Sequence, residues 1–198
     1  IHIKSISTKM LDNKILFIRI KIFGETTGEE FKNALQEIEK EKARGLIIDL
    51  RNNGGGYVDA AVSICSHFIP KGKKIVIIKD KSSEESEDSL GYSEIKIPVV
   101  VLINRYSASA SEITAGALQD YGKATAVGDT SFGKGSIQSI EPLGEAGALK
   151  YTVANYFTPE GRVINHIGLE PDIKITMDEY LVGKSNDTQL KKAIEILK

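Results

Sequence analysis

The sequence predicts a layered α/β fold. Short β-branched runs alternate with apolar residues at helical spacing through the first two-thirds of the chain. Small polar residues and glycines punctuate the boundaries. No internal repeat and no linker rich in Gly, Pro or Ser divides the sequence.

The elements follow in order. Residues 14–23 (KILFIRIKIF) lie between Asn13 and Gly24 and predict a strand. Thr27-Gly28-Glu29-Glu30 has the spacing of a capping box. Behind it Phe31, Ala34, Leu35 and Ile38 recur at helical intervals, with Gly45 as the expected stop. Residues 46–50 predict a strand carrying Asp49, and 51–56 (RNNGGG) a turn. Val58, Ala61, Val62 and Cys65 predict a helix that closes by Pro70, and 74–79 the next strand. Residues 81–94 are polar, with acids at Glu84, Glu85, Glu87 and Asp88. A solvated surface loop is favoured there over a site for a basic partner. Residues 98–103 predict a buried strand, 109–121 a helix and 124–127 a strand. Residues 137–140 and 149–157 also read as strands, and Asp187 as the cap of a final helix through Leu197.

Composition narrows the function. At 198 residues, 41% apolar and 27% charged, the chain can bury a core, and one domain spanning 1–198 is expected. A net charge of -1 forces no basic face, so nucleic acid is not an expected partner. One cysteine, Cys65, excludes a disulfide framework and is read as a buried small hydrophobe. His2, His67 and His166 have no metal-ligand spacing, so no metal or cofactor is expected. No apolar run is long enough to cross a bilayer. The sequence begins at Ile1, so a missing targeting segment carries no weight.

Chemistry concentrates in three loops. Ser107, Ser109 and Ser111 alternate with alanines where a strand gives way to a helix. Such serines commonly serve as helix caps. A helix start also points free N–H groups at a developing oxyanion. Ser109 is the favoured nucleophile, because Ala110 after it leaves its N–H unobstructed. Residues 128–135 (GDTSFGKG) nearly match a phosphate-binding loop, but Gly135 stands where the magnesium-holding hydroxyl belongs. Lys134 is instead a candidate general base. Phe132 and the flanking glycines are expected to shield its amine, and burial would lower its pKa. Gly54 to Gly56 lack the dinucleotide fingerprint and offer a backbone N–H to a substrate carbonyl. There is no G-x-S-x-G elbow.

Together these blocks resemble the carboxy-terminal processing, or tail-specific, proteases. The resemblance rests on GLIIDLRNNGGG at 45–56, PVVVLINRYSASASEITAGAL at 98–118, VGDTSFGKGSIQ at 127–138 and GLEPDI at 168–173. It implies a crotonase- and Clp-protease-like spiral of β and α elements. It also implies a serine endopeptidase with Ser109 as nucleophile, Lys134 as base and Gln138 orienting the lysine amine. Ala110 and the glycine pair, through Gly55 or Gly56, would form the oxyanion hole. Gly54 stands where proline is common in the family, and Asp120, at an acidic family position, is read as structural. The implied partner is a protein or peptide bound through its C-terminal region, in an extracytoplasmic location, with any membrane association supplied by other segments. The family usually carries a PDZ domain before this core, and the sequence begins where the core begins. Two alternatives remain: a non-catalytic peptide-binding or scaffolding core with an unassembled dyad, and an acyl-CoA enzyme of the crotonase kind.

Overall fold

The computed structural model describes residues 4–92, 94–144 and 147–198. Its larger sheet has six strands. β1 (Ile6–Leu11) runs antiparallel to β2 (Ile15–Ile20). β3 (Gly45–Asp49), β6 (Val99–Ile103), β7 (Thr125–Gly128) and the short β10 (Ile173–Lys174) then continue in parallel, in the order β1-β2-β3-β6-β7-β10. The smaller sheet is antiparallel, joining β5 (Glu84–Asp88), β4 (Lys74–Lys79), β9 (Ala148–Phe157) and β8 (Ser136–Pro142) in that order.

β3 and β6 read as unbroken apolar runs because both faces of the sheet are covered. Period-2 alternation sends their side chains to two cores. Leu46, Ile48, Val99, Val101 and Ile103 join the larger one, with residues of α1 (Thr27–Glu41), α2 (Val58–Cys65) and α3 (Ala110–Asp120). Ile47, Val100 and Leu102 face the opposite way, against α4 (Thr188–Ile196). Cys65 is fully buried, and burial pushes its thiol up to about 12.

Several sequence expectations need correction. α1 stops at Glu41, where Lys42 adopts a left-handed φ of 52°. Gly45 instead opens β3, at a point where Leu197 packs 3.1 Å from where a Cβ would stand. The expected capping box at Thr27 does not form: Thr26 is the cap position, and the Glu30 carboxylate accepts from Thr26 Oγ1 and the Ser5 and Ile6 N–H groups. The acidic segment within 81–94 contains strand β5, in register with the lysines of β4. Lys79 reaches Glu84 at 2.9 Å.

Candidate active site

The site sits where two loops leave the C-terminal ends of β3 and β6. Its floor is an ionic cage at Arg51. The guanidinium donates to both carboxylate oxygens of Asp49, to both of Asp187 and to Gln189 Oε1, at 2.8–3.0 Å, so all five of its N–H donors are used. Burial works against the Arg51 cation, but Asp49 and Asp187 outweigh it and raise its pKa. Burial would also raise the Asp187 pKa, yet Arg51 and the Gly183 and Leu190 N–H groups hold it below the ordinary range.

Beyond Arg51 the chain turns through Asn52 (φ 58°), whose side chain and N–H pair reciprocally with the Asn104 amide. Asn53 donates to the Ile20 carbonyl and accepts the Gly55 N–H at 2.8 Å. That bond engages one of the two glycine N–H groups expected to serve the oxyanion hole. The Gly56 N–H, by contrast, has no acceptor among the described residues. Gly55 has φ 97°, and a Cβ there would lie 2.8 Å from Ser109 Cβ and 2.9 Å from Ala110 N. Glycine is required by the closeness of the two loops.

The three candidate serines separate by environment. Ser107 is fully buried and its hydroxyl donates to the Leu50 carbonyl. Ser111 is fully buried and donates to the Asn53 carbonyl. Ser109 is only partly buried and opens α3 in a capping box, its side chain facing the Glu112 N–H while the Glu112 carboxylate accepts the Ser109 N–H, and its hydroxyl donates to no group among the described residues. Its backbone sits at φ 55°, ψ -117°, a region that costs a non-glycine residue about 1–3 kcal/mol. This is a strand–turn–helix elbow without the G-x-S-x-G sequence. Ala110 begins α3, and its N–H, one of the orphan donors of a helix start, has no acceptor among the described residues.

Lys134 is brought to the same corner by its backbone. The Phe132 N–H donates to the Ser107 carbonyl at 3.0 Å. Gly133 and Gly135 lie so close to residues 165–168 that a Cβ would meet backbone at 3.0 Å and 2.5 Å. The side chains do not follow the expectation of a shielded amine. Lys134 is exposed and Phe132 is 62% exposed, so no wall closes over it. Gln138 Nε2 donates to Ser136 Oγ and Thr152 Oγ1. A bulge between Ile137 and Gln138 breaks the β8–β9 register at that point. Asp120 is engaged structurally, pairing with Arg162 and accepting the Glu160 N–H.

One residue escaped the sequence reading. Glu112, fully buried on α3, accepts from the Ser109 and Lys134 N–H groups through Oε2, both at 2.9 Å. Through Oε1 it accepts from the Gly133 N–H at 2.6 Å and the Ser131 hydroxyl at 2.5 Å. The available signal was the S-x-x-E spacing of Ser109 and Glu112, a helix-start pattern. No cluster of three or more His, Cys, Asp or Glu side chains among the described residues suits a metal.

The sequence profile of Peptidase family S41 matches residues 14–175. The chain belongs to Peptidase family S41. It is 37% identical over 189 residues to the carboxy-terminal processing protease CtpB of Bacillus subtilis (strain 168), covering 95% of this chain and 39% of that protein. It is 41% identical over 181 residues to a carboxy-terminal-processing protease of Bartonella bacilliformis, covering 88% and 42%. Among solved structures, the photosystem II D1 C-terminal processing protease superposes with a TM-score of 0.81 at 30% identity, covering all of this chain and 53% of that one. The chain thus spans about two fifths of the length of these curated S41 relatives.

Proposed function

We propose that this S41 chain is the catalytic core of a serine endopeptidase that cuts proteins near their C-termini, using Ser109 and Lys134. The observation that carries the reading is the strained elbow: a partly exposed Ser109 hydroxyl that donates no hydrogen bond, beside an Ala110 N–H without an acceptor among the described residues, with the Lys134 backbone tied to the same carboxylate as Ser109.

The chemistry follows from these groups. Ser109 Oγ attacks the scissile carbonyl carbon and passes its proton to a neutral Lys134 Nζ. The carbonyl oxygen gains the negative charge and is steadied by the N–H of Ala110, with the Gly55–Gly56 turn supplying the second donor. Of that pair, Gly55 lies closer to Ser109 but its N–H is already held by Asn53, whereas the Gly56 N–H has no acceptor among the described residues. The C–N bond then breaks, and Lys134 returns the proton to the leaving amine. Water releases the acyl group by the same steps in reverse. For this the Lys134 side chain turns inward from solvent, and Gln138 exchanges Thr152 for the lysine amine. The substrate is an unfolded or extended polypeptide end, and the resemblance adds an extracytoplasmic setting to the same proposal.

Cleavage of an unfolded protein tests it. Ser109→Ala should lower the rate by on the order of 10³-fold or more. Undiminished cleavage by that variant rules the assignment out. The exposed Lys134 and the engaged Gln138 favour one other reading, a peptide-binding core whose dyad never assembles. That reading requires wild-type protein to bind peptide without cutting it.

A further inference from the structure

We infer that Glu112 is the positioning residue that sets the separation between nucleophile and base; the inference rests on the Ser109–Lys134 reading. A single oxygen, Glu112 Oε2, accepts the backbone N–H groups of both residues at 2.9 Å. The two nitrogens therefore lie no farther apart than twice that distance, although 25 residues separate them in sequence. The second oxygen fixes the rest of the lysine loop through the Gly133 N–H and the Ser131 hydroxyl. Ser131 Oγ in turn accepts the Leu169 N–H at 2.7 Å, carrying the brace into the 165–169 segment.

A buried carboxylate is costly to desolvate and is retained only where strong donors meet it. Glu112 is fully buried, and no Lys, Arg or His cation among the described residues pairs with it. Four donors hold it instead, and its place in the first turn of α3 puts its charge where the helix dipole favours an anion. Leucine would fill the same space without these costs, but it would release three backbone N–H groups. The carboxylate thus supplies geometry that packing alone would not. Its consequence is specific. The Lys134 backbone is already in place, so delivery of the amine is a side-chain rotation rather than a loop closure.

The test is Glu112→Gln, alone and combined with Lys134→Ala. Glutamine keeps the shape, but its NH₂ cannot accept, so one side of the carboxylate loses its hydrogen bonds. The expected result is a folded protein with KM within about twofold of wild type and kcat lowered roughly 10²-fold. In the Lys134→Ala background the same change should cost little more, because Glu112 acts through the lysine. A folded Glu112→Gln enzyme with wild-type kcat overturns the inference. So does a full additional loss in the Lys134→Ala background. Should Glu112→Gln fail to fold, Ser131→Ala carries the test. It removes one donor and no charge, and a kcat drop of about tenfold in a folded protein supports the role. An unchanged kcat refutes it. If instead Ser109→Ala and Lys134→Ala both leave cleavage intact, it is the underlying dyad that fails.

Discussion

At the scale of single residues, the site is built by close approaches that admit no substitute. Gly55 is the plainest case. A methyl group there would press on Ala108 O at 2.6 Å as well as on Ser109 Cβ, and neither can move without moving the proposed nucleophile. Gly55→Ala should lower kcat/KM by about 10²-fold and stability by about 1–3 kcal/mol, read from steady-state kinetics and a thermal melt. Unaltered kinetics would mean that the loops are not held as tightly as the geometry states. The residue scale was also where the sequence was least explicit. Three serines in a row of small residues look alike on paper. They part only when Ser107 and Ser111 are seen to spend their hydroxyls on Leu50 and Asn53. The candidate oxyanion donors divide in the same way, because the Asn53 side chain turns back onto Gly55, a local bond that spacing does not reveal.

At the scale of elements, α4 and the turn after β3 are joined across the chain by the Arg51 cage. Asp187 caps α4 through the Leu190 N–H while forking onto Arg51. Asp187→Ala leaves the buried guanidinium half paired, and breaking such a pair typically costs about 3–5 kcal/mol. The expected result is a melting point lowered by several degrees or more, with a matching fall in activity as the 51–56 turn loosens. A variant as stable as wild type would show that α4 does not anchor the turn. A second element-scale prediction concerns the end of α2. His67 is 6% exposed, beside Tyr92 and Phe31, and its Nε2 has no hydrogen-bond partner among the described residues. Burial, with some help from the Lys32 charge, pushes its pKa down to about 4 from an ordinary 6.5. Between those values the unfolded chain takes up a proton that the folded chain refuses, so this contribution to stability falls as pH drops from about 6.5 towards 4. Denaturant titrations at pH 7 and pH 5 should show the loss, and His67→Gln should remove that part of the pH dependence. An identical pH response in the variant would assign the effect elsewhere.

At the scale of the whole molecule, legibility followed burial. β3 and β6 were readable because parallel strands covered on both faces must be apolar throughout. β5 was not, since EESED has poor strand propensity and pairs because β4 offers Lys74 and Lys79 across from it. β1, with only Ile6 fully buried, gave no alternating signal. The candidate site was legible as residue types at the right loops, and the structure does bring the Ser109, Gly55 and Lys134 backbones together. It was not legible as side-chain geometry. The hairpin bulge that parks Gln138 on Thr152, and the exposure of Lys134, depend on packing around β8 and β9 that no spacing encodes. The central claim is that the serine is activated by that lysine. Its most direct measurement is the rate of covalent labelling of Ser109 by a fluorophosphonate, followed by mass spectrometry in wild type and Lys134→Ala. The account predicts modification at Ser109 in wild type and a fall of about 10²-fold or more without the lysine. Equal rates in the two proteins would contradict it.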